Sequence, residues 1–316
     1  MKFKGKVQLT FTDTLLSEDP LHFKREYGST TIYFKNGKVL FEVKKFFKRY
    51  IRPSKSRFYK CNFLTMDLET LNKDGTLIPY AISIYDGLDK TFFYLSDYDN
   101  LNHMMEEAII SLMQRKYNGY AVYLHNFSKF DGVFLLRHLS NLSNNIKFIC
   151  RAGEFINISF TFGRYRLYFR DSLLMLPGSL SKLSKSFYVE DKGIFPHSFV
   201  RVSNLDYEGE VPGIEYFLGI TEEQYQEYCI AYTDKNWNLR EEVEKYCAKD
   251  SIILYEVLST FNKLVYETFD VNISKYPTLS SLSFGIFRSR YLSKNKICLL
   301  DGDVYKYIYI FNTYTF

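Results

Sequence analysis

The chain has 316 residues, 46% of them hydrophobic and 18% aromatic, which suits one large folded domain or two modest ones and excludes a disordered chain. No apolar run approaches the ~18 residues of a membrane helix, and the opening MKFKGKVQLTFTD has neither an apolar signal core nor an arginine before Arg25. The net charge of +5 is uneven: residues 41–60 hold eight Lys or Arg against Glu42 alone, so the rest is slightly acidic. Five cysteines, odd in number, widely spaced and without a CxxC, argue against a disulfide scaffold and a zinc site. They fit buried or idle thiols in a reducing compartment. Of the five histidines, His103, His125, His138 and His197 are scattered without zinc-ligand spacing.

In chain order, residues 1–60 read as a β-rich, basic lead-in. KVQLTF and TTIYF alternate, and KNGK supplies a hairpin turn. The basic stretch interleaves Phe46, Phe47, Tyr50, Phe58 and Tyr59 with its cations, which fits either a nucleic-acid backbone with stackable bases or a solvated linker. Strands are predicted at 61–69, 79–86 and 90–95 in meander order, then a helix over 100–116 with apolar residues at helical spacing. A strand in GYAVYLHN leads to a helix from Asp131, and a group of strands lies within 146–172. Short helices at 179–188 and 221–231 and a long one at 238–263 complete the series. This order predicts an α/β fold, a mixed sheet flanked by helices. Trp237, the single tryptophan, reads as packing.

Three groups of residues carry candidate chemistry. In FLTMDLET, Asp67 and Glu69 are i and i+2 on a strand, so they share one face while Leu64, Met66 and Leu68 face the core. Two adjacent like charges cost free energy unless a cation lies between them, and carboxylate oxygens suit Mg²⁺ and Mn²⁺. A solvated strand end is the plain alternative. In YLHNFSKFDGVFLL, Asn126 and Phe130 flank Asp131, an amide and an exposed aromatic suited to sugar-phosphate and base contacts beside a helix-starting carboxylate. In REEVEKYCAKDSIILYEVL, Tyr246 and Asp250 share one helical face, and Asp250 interrupts the apolar series Val243, Cys247, Ile253, Leu254 and Val257. A carboxylate on a buried face needs a partner or a metal.

In this order, Asp67-x-Glu69, Asn126-x-x-x-Phe130-Asp131 and Tyr246-x-x-x-Asp250 resemble the three exonuclease motifs of family B DNA polymerases. The resemblance is to the protein-primed organellar and viral branch, which includes polymerases of mitochondrial linear plasmids. Ser179-Leu180-x-x-Leu183 and Lys192-Gly193-Ile194-Phe195 resemble two further motifs of that branch, and YPTLSSLSFGIFRSRYL (276–292) is similar to its connector toward the polymerase domain. Lys245 stands where a His would mark the histidine subclass, so the tyrosine subclass is indicated. The Asn126–Asp131 spacing is one residue longer than in the phage members. No Asp-x-x-Ser-Leu-Tyr-Pro and no Asp-Thr-Asp polymerase motif occurs.

The resemblance implies a ribonuclease-H-like fold with a β-rich extension over 1–60, an exonuclease domain over 61–265 and a truncated connector over 266–316. It implies two divalent ions, Mg²⁺ or Mn²⁺, on Asp67, Glu69, Asp131 and Asp250. Tyr246 would orient the attacking water and Lys192 would place positive charge at the phosphate. Thr70, Asn126, Phe130, Ser179 and Leu180 would hold a single-stranded DNA 3′ end. The implied partners also include a separate polymerase domain or terminal protein, with no membrane, and an origin within the mitochondrion. The expectation is thus an N-terminal polymerase fragment retaining the 3′–5′ exonuclease. Two alternatives are a catalytically dead DNA-binding or polymerase-partner remnant, and a stand-alone exoribonuclease of the same superfamily.

Overall fold

The computed structural model describes residues 22–27, 30–36, 38–44, 50–190 and 193–297. The predicted strand KVQLTF, residues 45–49 of the basic stretch, Lys192 and residues 298–316 lie outside the described residues. The chain divides into two compact units, one of Met1–Arg52 with Ser293–Phe316 and one of Pro53–Leu292. In the first, β1 (His22–Tyr27), β2 (Thr30–Lys35) and β3 (Lys38–Lys44) form an antiparallel sheet in that order. The β2–β3 hairpin turns at KNGK, with Asn36 in the left-handed region at φ 50°.

The second unit is built on a seven-stranded mixed sheet. Its strands are β4 (Phe63–Lys73), β5 (Thr76–Tyr85), β6 (Lys90–Tyr94), β7 (Ala121–Leu124), β8 (Ile146–Arg151), β9 (Glu154–Phe162) and β10 (Tyr165–Asp171). They lie in the order β6-β5-β4-β7-β10-β9-β8. β4, β5 and β6 form an antiparallel meander, while β7 runs parallel to β4 and β10 parallel to β7. A meander whose first strand continues into two parallel strands is the ribonuclease-H-like arrangement that the family resemblance implies. The β4–β5 hairpin is longer than the alternation predicts. Asp74 and Gly75 take positive φ (52° and 82°), so the turn closes there and pairing continues out to Lys73 and Thr76.

The helices cover both faces. α1 (Leu101–Ser111) and α2 (Asp131–Leu142) bury one face, where Leu64, Met66 and Leu68 of β4 meet Met104, Met105, Leu135 and Leu139. α1 stops short of the predicted 116, because 115–117 tightens into a 3-10 turn that buries Tyr117 and aims its hydroxyl at Asp86 Oδ2, 2.7 Å away. α5 (Leu239–Phe269) covers the other face with α3 (Leu180–Ser186) beside it, while α4 (Glu222–Ile230) stands on the segment leading into α5. α5 exceeds its predicted end because Asn262 and Val265 continue its buried stripe, and it stops only where Asp270 turns left-handed (φ 55°).

Residues 276–292 contain a helix, α6 (Leu279–Arg290), opened by a reciprocal cap between Thr278 and Ser281. It lies in the same compact unit as the sheet. Arg170 Nη1 donates to Ser274 O at 2.6 Å and its Nε to Asn157 Oδ1 at 2.9 Å, which ties the α5–α6 link to β9 and β10. Gly285 admits the Tyr276 ring, since a Cβ there would fall 2.3 Å from the ring carbon that bears the hydroxyl. Trp237 is fully buried, as read, and its indole N–H donates to Tyr228 Oη at 2.8 Å.

His138 on α2 is 5% exposed. Burial holds its imidazole pKa below the ordinary value, with Glu106 opposing and Arg137 adding. The neutral ring must therefore persist in the fold while the unfolded chain takes up a proton near pH 6.5. Its contribution is intact above pH 6.5 and is lost as pH falls below it. In metal-free urea titrations, His138→Leu should lose less stability than the parent between pH 7.5 and 5.5. Equal acid slopes would refute this.

Candidate functional site

The site forms where β4 outruns its neighbour. β4 pairs with β7 through Phe63, Leu64 and Thr65, and β7 ends at Leu124, so Asp67 and Glu69 extend beyond the last shared rung. A notch opens between them and the loop that follows β7. The strand alternation that sends Leu64, Met66 and Leu68 to the α1–α2 face sends Thr65, Asp67 and Glu69 to the α5 face. The register shifts between Glu69 and Thr70, where Tyr80 of β5 is left over between Pro79 and Ala81. Tyr80 and Ala81 both join the cluster beneath α5. Thr70 is half-buried just past this shift.

α5 is fastened to this face by polar contacts. Thr65 Oγ1 donates to Ser251 O at 2.7 Å, and the hydroxyls of Ser83 and Ser251 lie 2.9 Å apart. One turn earlier, Cys247 Sγ lies 3.6 Å from Asp67 O and 3.7 Å from Asp67 Oδ2. Burial, followed by the charges of Asp67, Glu69 and Asp250, pushes the Cys247 thiol well above its ordinary range. Two of the four predicted ligands, Asp67 and Glu69, therefore share a cluster with one buried thiol. Asp250 is 4% exposed and Tyr246 5%. Among the described residues, one donor atom from each of Asp67, Glu69 and Cys247 lie within 4.8 Å of one another. Cys247 reads in the sequence only as part of the apolar stripe of α5.

Asp131 follows the loop after β7 as the first residue of α2 and is 4% exposed; it is not among the residues grouped with Asp67, Glu69 and Cys247. Burial raises its carboxyl to about 7, countered by a backbone hydrogen bond and reinforced by the charge of Asp171. Asp171, 2% exposed at the end of β10, builds the loop that carries Asp131. It accepts from Asn126 N at 3.0 Å, Ser128 N at 2.9 Å and Leu173 N at 2.9 Å. Asn126 takes φ 65°, and its carbonyl accepts from the amides of Lys129 and Phe130. Phe130 is half-buried rather than an exposed aromatic, because its ring meets Phe134 edge-on at 5.7 Å. Gly132 makes the turn possible, since a Cβ there would fall 2.8 Å from Phe127 O.

The remaining predicted residues divide. Ser179 is exposed and caps α3, accepting from Lys182 N at 3.4 Å. Leu180 packs toward Leu183, Ile253 and Val257, one turn past Asp250 along α5. Ser172 instead stands at the strand ends beside the notch: its Oγ lies 2.9 Å from His125 Nδ1 and donates to Leu124 O at 3.1 Å. Lys192 lies outside the described residues. A Cβ on the next residue, Gly193, would sit 3.7 Å from the Tyr246 ring, so the chain crosses Tyr246 there.

Three residues to which the sequence reading gives no site role stand here. His197 brings Nδ1 to 3.9 Å from Glu69 Oε2, and its ring meets Tyr246 edge-on at 5.1 Å. Phe195 packs on the same tyrosine at 5.0 Å. Asp171 is the third. The spacing of Phe195 and His197 along the chain does not show that they reach Tyr246 on α5, nor that of Asp171 that it holds the loop after β7.

A mixed seven-stranded sheet with helices on both faces and carboxylates at its strand ends defines an α/β fold of the ribonuclease-H-like class. The chain belongs to the family of type B DNA polymerases, organellar and viral, whose family model matches residues 111–310. A "Probable DNA polymerase" of Neurospora intermedia is 39% identical over 94% of this chain and 34% of that protein. One of Ascobolus immersus is 36% identical over 91% of this chain and 26% of that protein. The chain thus spans about a third of the length of these curated relatives. Among solved structures, phi29 DNA polymerase complexed with single-stranded DNA is similar at 18% identity and a TM-score of 0.41, over 65% of this chain and 31% of that one.

Asp171→Ala should cost at least ~2 kcal/mol in urea unfolding, because it strands three amide donors at once. A loss below ~0.5 kcal/mol would show that the loop holds itself.

Proposed function

We propose that this chain carries the 3′–5′ exonuclease of a protein-primed family B DNA polymerase and removes nucleotides from single-stranded DNA 3′ ends. The observation that carries the proposal is the meeting of Asp67 and Glu69 on β4 with Cys247 on α5, 180 residues on from Asp67, with donor atoms within 4.8 Å of one another. Like charges gathered in a partly desolvated notch call for cations, and the donor set is rich in hard oxygen. Asp67, Glu69, Asp131 and Asp250 would hold two divalent ions, Mg²⁺ or Mn²⁺. Bound there, such ions supply an activated water and stabilise the leaving 3′ oxygen.

The chain's own residues do the rest. The Tyr246 hydroxyl, unsuited by its high ordinary pKa to serve as a bulk base, orients the water. Phe195 and His197 hold the Tyr246 ring from two sides, which limits where that hydroxyl can point. Asn126 and Phe130 offer an amide and a ring edge to the terminal nucleotide. The name of the family supports DNA over RNA as the substrate.

Asp67→Ala combined with Glu69→Ala should lower Mg²⁺-dependent degradation of a labelled single-stranded oligonucleotide at least ~10³-fold, the scale of losing metal-organised chemistry. The circular dichroism spectrum should stay unchanged. Degradation by the double variant at the parental rate would sink the proposal. Binding without cleavage under any divalent ion would favour a DNA-binding remnant.

A further inference from the structure

Cys247 makes the cation site of this chain a mixed one. We infer that Cys247, Asp67 and Glu69 together bind a thiophilic divalent ion of the zinc or cadmium type, in competition with the hard cations of the exonuclease. This rests on the metal site proposed above and adds a donor that oxygen-seeking ions do not use.

The argument is geometric. Cys247 Sγ is fully buried and faces Asp67 Oδ2 at 3.7 Å. A tetrahedral ion with bonds of about 2.3 Å to sulfur and about 2.1 Å to a carboxylate oxygen keeps those two donors about 3.6 Å apart. The observed separation therefore needs almost no adjustment. Glu69 completes a set whose donor atoms lie within 4.8 Å of one another. The three come from two elements fastened together by the Thr65–Ser251 and Ser83–Ser251 contacts, so the spacing is held by the fold. Asp67 and Glu69 are only partly buried, which leaves an entry path that Cys247 alone would lack.

The chemistry balances simply. The Cys247 S–H bond breaks, a sulfur–metal bond forms, and the proton passes to solvent. Mg²⁺ has little affinity for sulfur and uses the carboxylates alone, whereas Zn²⁺ or Cd²⁺ gains the sulfur bond and displaces it. The result is an inhibitory site within the cation cluster.

The test is a cadmium titration of the full chain, followed through the ultraviolet sulfur-to-cadmium charge-transfer band. Cys61, Cys150, Cys229 and Cys298 stay in every variant, so only differences count. The parent should show a saturable band contribution that Cys247→Ser abolishes. Asp67→Asn with Glu69→Gln should weaken its midpoint at least tenfold with the thiol intact. If Cys247→Ser fails to fold by circular dichroism, the carboxamide variant carries the test alone. A parental band in Cys247→Ser, or an unmoved midpoint in the carboxamide variant, overturns the inference. Magnesium-dependent degradation without any Cys247-dependent band overturns it while leaving the exonuclease reading standing. The band without degradation supports it and sinks the exonuclease reading instead.

Discussion

The attachment of one turn of α5 to the free end of β4 is the contact on which the rest depends. Thr65, Ser83 and Ser251 close a small buried polar network there, and Cys247 packs directly on Asp67. The price is electrostatic: burial and the charges of Asp67, Glu69 and Asp250 disfavour ionisation of the Cys247 thiol. Apolar burial offsets that cost. Ile253, Leu254, Val257 and Leu258 are each at most 2% exposed, and each such side chain contributes about 1.5–3 kcal/mol. The helix is thus held down by its apolar stripe, and its carboxylate is carried into place against repulsion.

The second wall is organised by a different device. Asp171 spends its carboxylate on three backbone amides, so the loop after β7 is held by charge-assisted hydrogen bonds rather than by side-chain packing. That leaves Asp131 at a fixed position in a dry place, with a carboxyl raised to about 7. A bound cation would reverse the shift, since positive charge favours the ionised form.

Residues 195–238 act as a buttress for the face of α5 that carries Tyr246. Glu242, 7% exposed, accepts from Tyr228 Oη at 3.0 Å and Lys245 Nζ at 2.6 Å, while Trp237 donates to the same tyrosine hydroxyl. A buried carboxylate satisfied from both sides gives the segment one preferred seat on the helix. From that seat Phe195 and His197 reach the Tyr246 ring.

Much of this architecture was legible in the residues themselves. Alternation in FLTMDLET put Asp67 and Glu69 on one face, and the i, i+4 spacing put Tyr246 and Asp250 on another, because side-chain direction along a strand or helix depends only on local period. Local pattern also gave the meander, the long helix and the mixed α/β class. What it could not give was adjacency between segments far apart in the chain. Ser172 rather than Ser179 stands beside His125, Cys247 enters the carboxylate cluster, and His197 meets Glu69, each because sheet order and helix seating bring distant segments together. Period is a property of neighbouring residues, whereas a site is a property of neighbouring elements, and only the packed sheet decided which elements those are.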